Sequence, residues 1–348
     1  MKNRLLIYLL TFAMLSCSPA YVVRAGWEEA GILWRRKDIG TLLEKGDLPE
    51  STAIKLRTAL NVRDYANELG LTINHSYKYY STVDRDDLVW VINAAKKSSL
   101  EPVSWWFPFV GSVQYKGYFE KDDAQKAADD FANDGYDVYL RSSPAFSTLG
   151  WFDDPLLSSI VKLDEVHIVN TILHELYHNS VWIADYVSFN ESSANAFAWY
   201  ATEAYYKKAS TLNLAHSKTA HDIWQEQLQF SDALAELGNK LKQYYRSIEN
   251  DKPANWEQEK QNFFLNQGLK LQTTSPKLAK LIERMNNASL LANMMYLDNT
   301  RLMDHLYNQC NKEITCWIES ITKITRLAKE KGSNPYDELK DWVRKYEI

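Results

Sequence analysis

Two histidines separated by three residues stand near the middle of the chain, in the run His174-Glu175-Leu176-Tyr177-His178. On an α-helix, positions i and i+4 project from the same face about one turn apart, so both imidazoles could hold one cation. Glu175 lies beside them, within reach of a water molecule that such a cation would polarise. Two imidazole ligands with an adjacent carboxylate base are typical of zinc hydrolases. The pattern therefore predicts a zinc site with Glu175 as general base.

The same letters also fit a helix whose two histidines face solvent or cap neighbouring groups. The surrounding sequence favours the metal site. Apolar residues recur at helical spacing through residues 164–183, directly after the part of the chain that has strand-like patterns.

A catalytic zinc needs three protein ligands and an open position, so one more donor should follow His178. Asp185, Glu191 and Glu203 are the candidates. Asp185 is too close to the first helix for the chain to turn back easily. Glu191 opens the next helical pattern after twelve intervening residues, whereas Glu203 lies roughly 18 Å further along that helix. The spacing favours Glu191.

Two asparagines flank this candidate ligand. Asn195 follows Glu191 by four positions and would share its helix face, so it could accept a hydrogen bond from a ligand histidine or serve as a packing amide. Asn190 could support the site in the same way or cap the new helix.

The composition describes an ordinary folded protein. Of 348 residues, 45% are apolar and 24% are charged, and 21 residues are Gly or Pro (12 and 9). So few turn formers disfavour a long all-β architecture, and a net charge of -5 argues against a nucleic-acid partner, which needs a basic surface.

Periodicity places the elements that must position the site. Helical patterns run from Tyr21 to about Leu69, over Lys121 to Asn133, and from Phe189 to the end of the chain. Short strand-like runs occur at 88–92, 113–118 and 137–140. The fold class predicted from these patterns is α+β and predominantly helical, with a small β-sheet beside the metal-binding helix. Helical regions flank this zincin-like core on both sides.

The N-terminus has the pattern of a secretory signal, with Lys2 and Arg4 before eleven largely apolar residues. Eleven residues are too few to cross a bilayer as a helix. Leu15, Ser16 and Cys17 resemble the lipobox of bacterial lipoproteins, which implies lipidation at Cys17 and, with Ser18 next, sorting to the outer membrane. A cleaved signal with an incidental cysteine is the alternative.

The other two cysteines are Cys310 and Cys316. In one continuous helix they would be roughly 9 Å apart along the axis, beyond the range of a disulfide. A bridge therefore requires a helix break across 311–315. Two buried free thiols are the alternative.

Several collinear segments resemble a known family, the bacterial predicted aminopeptidases of gluzincin type, many of which are lipoproteins. The matching segments are Trp106–Gly111, Tyr115–Phe119, Tyr136–Tyr139, Pro144–Pro155 and Phe189–Ser192, in addition to the histidine motif. Trp199 departs from the family pattern, which usually has an acidic pair there, and the segment from Cys310 to Cys316 looks particular to this chain.

The resemblance implies one zinc ion held by His174, His178 and Glu191, with Glu175 as general base. It also implies that the edge strand before the metal helix pairs with a peptide substrate. The candidate substrate-binding residues are Thr148, Leu149 and Gly150 on that strand. Tyr115 and Tyr118 are candidates for stabilising the oxyanion.

These observations predict a zinc metallopeptidase that acts on a peptide or protein substrate and is lipid-anchored at the periplasmic side of the outer membrane. The regions are a signal peptide (1–16), an N-terminal helical region (17–100), a catalytic core (101–210) and a C-terminal helical region (211–348), with 17–348 as one compact unit. A non-catalytic envelope lipoprotein that uses the same frame for binding or as a chaperone is the alternative. A serine hydrolase is disfavoured because no G-x-S-x-G motif occurs.

Overall fold

A computed structural model describes residues 31–84, 88–107, 111–143 and 153–345. The predicted signal peptide (1–16), the lipidation site Cys17 and the candidate substrate strand with Thr148, Leu149 and Gly150 lie outside these described residues. None of the described helices is both long enough and apolar enough to cross a lipid bilayer.

The N-terminal part combines two helices with short strands. The elements are β1 (Lys37–Asp38), α1 (Ile39–Lys45), α2 (Glu50–Glu68) and β2 (Tyr79–Ser81). Asp38 caps α1, since its side chain accepts a hydrogen bond from the Thr41 amide, and Gly46 ends α1 in the left-handed conformation. One face of α2 is buried and packs against the helix that carries the histidine motif.

The strands form three small sheets. The remaining strands are β3 (Val89–Lys96), β4 (Trp105–Phe107), β5 (Gly111–Val113), β6 (Lys116–Tyr118), β7 (Tyr136–Ser143) and β8 (Leu156–Leu157). The largest sheet has the order β6-β3-β7 and is antiparallel, with Ile92 opposite Leu140. A second sheet has the order β1-β2-β8, in which β8 pairs parallel to β2, and β4 pairs with β5.

The strand prediction was right about the section of the chain and wrong about its details. A single strand over 113–118 is replaced by β5 and β6, which belong to different sheets. The second sheet also draws on Lys37–Asp38, far outside the section that looks like a sheet. Strands of two or three residues are too short to show an alternating pattern, so they escape a search by periodicity.

The middle of the chain contains four helices. They are α3 (Lys121–Asn133), α4 (Ser158–Val161), α5 (Glu165–His178) and α6 (Val187–Tyr205). The predicted bounds of α3 are confirmed, and Ala124 and Ala128 on its buried face pack against Ile92 of the largest sheet. Helices α5 and α6 pack closely against each other.

The C-terminal half is helical throughout. After a short 3-10 turn (Ala209–Thr211), its helices are α7 (Leu214–Ser247), α8 (Trp256–Leu271), α9 (Pro276–Glu283), α10 (Asn287–Leu297), α11 (Thr300–Gln309), α12 (Ile314–Lys331) and α13 (Pro335–Lys345). Cys310 and Cys316 form a disulfide between α11 and α12. Asn311 and Lys312 adopt positive φ there, which provides the helix break that the bridge requires.

The apolar residues of these elements form one large cluster, a second, smaller one and two minor ones. The large cluster runs from Ile32 to Val343 and contains most of α5 and α6, so both ends of the described chain contribute to the core around the histidine helix. The smaller cluster joins α8, α9 and α10 to the second half of α7. The predicted α+β, predominantly helical fold class is confirmed.

Candidate metal centre

The first two candidate ligands lie on the last turns of α5. Asp164 starts this helix, because its carboxylate accepts a hydrogen bond from the His167 amide at 3.1 Å. The apolar residues that recur at helical spacing from Val166 to Tyr177 are buried, which fixes the rotation of the helix in the core. The ring centroids of His174 and His178 are 4.9 Å apart, and the two rings meet edge to face. His178 is almost completely buried, with 4% of its surface exposed.

The third candidate ligand lies on the second turn of α6. Glu191 is 5% exposed and sits among small buried residues, including Ser192, Ser193 and Ala194. Such small side chains let α6 approach α5 closely. A carboxylate on this face is therefore carried against the histidines.

The connection between the two helices is held by side chains of its own. Asn190 accepts a hydrogen bond from the amide of Ile183 at 2.9 Å and donates one to the carbonyl of the same residue at 2.8 Å. Asp185 accepts from the amide of Ser112 at 2.9 Å. Asn190 thus does not cap α6, which begins at Val187, but ties the connecting segment to the residue before the ligand.

The three candidate ligands converge on one point. Nε2 of His174 is 3.2 Å from Nε2 of His178 and 3.3 Å from Oε2 of Glu191. The same Glu191 oxygen is 3.8 Å from Nε2 of His178. One ligand atom from each residue lies within 4.8 Å of the other two. In the described part of the chain, this is the one group of three histidine, cysteine, aspartate or glutamate side chains that is arranged to hold a metal ion.

Glu191 and His174 shift each other's pKa values in opposite directions. Burial pushes the pKa of Glu191 up, but hydrogen bonds to His174 and His178 and the charges of both rings outweigh it and hold the pKa well below its usual range. Burial lowers the pKa of His174, whereas the hydrogen bond to Glu191 and the charges of Glu175 and Glu191 raise it, with a net rise. The carboxylate of Glu191 is therefore ionised at neutral pH and attracts a positive charge.

The chemistry of this donor set fits a zinc ion. Two imidazole nitrogens and one carboxylate oxygen are a common set of protein ligands for catalytic zinc. Without a cation, the two ring nitrogens and the carboxylate oxygen can be paired only by protons that they share, in a site that is mostly buried. The ligand set predicted from the sequence is brought together by the fold, whereas Asp185 and Glu203 point elsewhere, to Ser112 and to Lys207.

Glu175 lies beside the cluster, half-buried, and faces aromatic side chains. Its charge, together with burial, raises the pKa values of Tyr77, Tyr115 and Tyr296. Among the described residues, no donor forms a hydrogen bond with its carboxylate. The carboxylate is thus free to accept a proton in the site.

Of the two tyrosines predicted as candidates, only Tyr115 lies near the cluster. Burial and the charges of Glu191 and Glu175 raise its pKa well above the usual value. Tyr118 instead packs with Trp90 and α3, and the acids that raise its pKa after burial are Asp123 and Asp130. Residues three apart in extended chain point to opposite faces, which accounts for the different surroundings of the two tyrosines. Stabilisation of the oxyanion by either tyrosine stays a prediction.

The expectation that Asn195 accepts a hydrogen bond from a ligand histidine is not met. Its amide nitrogen donates to Oε1 of Gln227 at 2.8 Å and to the carbonyl of Tyr296 at 3.2 Å. In the described part of the chain, Nδ1 of His178 has no hydrogen-bond partner. Asn195 therefore joins α6 to α7 and α10 instead of orienting a ligand.

Two residues of the site were not found from the sequence. The ring centroid of Tyr296, at the end of α10, is 6.5 Å from that of His174. Cζ of Arg141, on β7, lies 5.9 Å from the centre of the Tyr296 ring. Both come from elements distant in sequence, and no local spacing connects them to the histidine motif.

The fold and the site define a helical protein with a buried cluster of two histidines and one glutamate that could bind a metal ion. The model of a protein family described as "Putative aminopeptidase" matches residues 20–334, so the chain belongs to that family. This confirms the putative aminopeptidase family expected from the sequence segments, whereas the gluzincin type and the lipid anchor stay predictions. No curated protein and no solved structure matched the chain.

Proposed function

We propose that the protein is a zinc-dependent peptidase in which His174, His178 and Glu191 bind the metal and Glu175 is the general base. The observation that carries this proposal is the convergence of three ligand atoms within 4.8 Å. Glu175 comes directly after the first ligand, with its carboxylate unengaged among the described residues. Membership of the family supports peptide bonds as the substrate.

The chemistry follows from the positions of the side chains. A bound zinc ion supplies a Lewis acid that polarises the scissile carbonyl and acidifies water. Glu175 accepts the proton of the attacking water and later donates it to the leaving amine. Tyr115 and Tyr296 keep their phenol protons because their pKa values are raised, so each can donate a hydrogen bond in the site.

We also propose that the enzyme acts in the bacterial envelope, attached through a lipid on Cys17. The lipobox-like sequence supports the anchor. The disulfide between Cys310 and Cys316 supports an oxidising compartment such as the periplasm, since cytosolic thiols stay reduced.

Metal analysis combined with peptide cleavage tests the catalytic proposal. The soluble chain from residue 18 onwards is purified, its zinc content is measured, and its cleavage of a peptide library is followed by mass spectrometry. We expect one zinc per chain and cleavage that chelation abolishes. Glu175→Gln should keep the zinc and lose about 10²- to 10⁴-fold in rate, because a general base contributes that much.

Glu165→Gln is the matched control, since Glu165 is on the same helix but at its opposite end. It should cleave like the parent. If Glu175→Gln and the parent cleave equally, the assignment of the base is wrong. If the protein holds zinc and cleaves no peptide, the non-catalytic binding module replaces the enzyme as the function.

A further inference from the structure

Strand β7 packs along α10, from the start of that helix towards the metal centre. Val138 and Leu140 point to α3, where they pack against its apolar face. The residues of β7 that alternate with these two face α10. One of them, Asp137, accepts a hydrogen bond from the amide of Asn287 at the start of that helix. Arg141 has the same parity as Asp137 and therefore faces α10 as well.

The lengths of the two elements place Arg141 at the far end of α10. Four residues of strand advance about 13 Å, and the nine residues from Asn287 to Tyr296 advance about 14 Å along the helix. The two elements thus bring Arg141 and Tyr296 to the same level. There the guanidinium carbon lies 5.9 Å from the centre of the Tyr296 ring, which is 6.5 Å from the His174 ring.

Arg141 is a half-buried cation beside a cluster of candidate metal ligands. Within the described ranges of the chain, no carboxylate lies within ion-pair distance of it. Its positive charge acts on both Tyr296 and Tyr115, the two phenols that also feel Glu175 and Glu191. A positive charge held in such a place attracts a negatively charged ligand group.

We propose that Arg141 binds the free C-terminal carboxylate of a short peptide substrate. This inference rests on the proposed peptidase function and specifies its substrate class. A guanidinium presents a planar fork of donors that matches a carboxylate with two hydrogen bonds. The ring of Tyr296 supports the guanidinium from the side of the metal centre.

The distances limit how many residues can lie between the scissile bond and the free carboxylate. An extended peptide spans about 3.5 Å per residue, so the two spacings from Arg141 through Tyr296 to His174 cover at most about four residues. A peptide bond cleaved at the metal centre therefore lies within about four residues of the substrate's free C-terminus. Peptides of two to four residues satisfy this limit, and an internal segment of a long protein does not present a carboxylate there.

Matched pairs of peptides test the proposal. Each pair has one sequence of two to four residues, with either a free C-terminal carboxylate or a C-terminal amide. Because hydrogen bonds to a charged group are strong, the parent should prefer the carboxylate form by about 10- to 100-fold in kcat/KM. Arg141→Gln should reduce this ratio to near one, with the larger loss in kcat/KM on the carboxylate substrate. Arg141→Lys should give an intermediate ratio, and the exposed control Arg57→Gln should behave like the parent.

Two outcomes would overturn the proposal. One is a parent enzyme without preference between the carboxylate and amide forms, a result that needs no variant. The other is an equal loss on both substrates in Arg141→Gln and Arg141→Lys, which would show that Arg141 only supports the fold of the site.

A binding measurement separates this proposal from the proposed function. The probe is a tripeptide with reduced peptide bonds, in carboxylate and amide forms, titrated into the zinc-loaded protein by calorimetry. Tighter binding of the carboxylate form that disappears in Arg141→Gln supports the inference even if the protein hydrolyses nothing. Equal binding of the two forms refutes it even if the protein is an active peptidase.

Discussion

Two clusters of charged and polar groups in this protein differ in how many of their polar atoms have hydrogen-bond or ion-pair partners within the protein. One is the ligand cluster of His174, His178 and Glu191. The other, which we call the Asp137 cluster, joins Asp137 of β7 to Lys260 of α8 and Asn287 of α10. Apart from His174, which is partly exposed, every member of both clusters is buried, so the desolvation of charge is costly in both.

The Asp137 cluster is saturated by its own chain. Asp137 forms an ion pair with Lys260 and accepts a hydrogen bond from the Asn287 amide at 2.9 Å. The Asn287 side chain donates to the carbonyls of Lys96, Lys97 and Ser99, and it accepts from Tyr245 at 2.8 Å. Every partner is internal, which indicates a structural role.

The ligand cluster has acceptor atoms that face each other instead. Two ring nitrogens and a carboxylate oxygen share one point, where a proton or a cation is needed to join them. Burial alone therefore does not distinguish a functional cluster from a structural one. What separates them is whether the protein supplies the missing positive charge.

The largest effect should come from removing a ligand. Glu191→Gln should weaken zinc binding by more than the roughly 10- to 100-fold caused by losing a hydrogen-bonding partner of a ligand, because the charged ligand itself is lost. Equilibrium dialysis measures this affinity. Glu203→Gln, on the same helix but paired with Lys207, should bind zinc like the parent. Equal affinity of both variants would mean that Glu191 is structural.

The reverse result is expected for the Asp137 cluster. Asp137→Ala leaves Lys260 buried and unpaired, so it should lower the free energy of unfolding by about 3 to 5 kcal/mol while zinc stoichiometry stays unchanged. Urea denaturation measures the loss. Asp134→Ala, at an exposed position nearby, is the matched control and should have little effect. Loss of zinc in folded Asp137→Ala would contradict the division into two independent clusters.

Removal of the disulfide should be milder. The bridge closes a loop of six positions, and in the chain-entropy model such a loop stabilises by about 2 to 3 kcal/mol. The double variant Cys310→Ser with Cys316→Ser should lose that much in urea denaturation and retain its zinc. Unchanged stability would show that the bridge does not form in the purified protein.

The smallest effect concerns pH. A protonated His174 cannot bind zinc, and the pKa of His174 is raised from 6.5, so protons should compete with zinc at a higher pH than for an ordinary histidine. As the pH is lowered, zinc affinity should therefore begin to fall while the pH is still above 6.5. Glu175→Gln removes one charge that raises the pKa, so its zinc release should shift to lower pH. A shift in the opposite direction would contradict the electrostatic account.

The part of the site that was predictable from sequence is the part set by local geometry. The spacing of His174 and His178 is fixed by one turn of helix, and Glu191 follows within a short connection. Arg141 and Tyr296 meet only because α10 packs along β7, a long-range register that periodicity does not encode. The same limit applies to the two- and three-residue strands, whose pairing depends on partners far along the chain.

Asn190 has a consequence for how metal would leave the protein. Its side-chain amide forms hydrogen bonds with both the backbone N–H and the carbonyl of Ile183, so it holds the segment between the two ligand helices against the start of α6. Separating Glu191 from the histidines requires breaking both bonds. The Ile183 amide should therefore exchange its hydrogen with solvent only when its hydrogen bond to Asn190 is broken. Its exchange rate would then report how often the site opens.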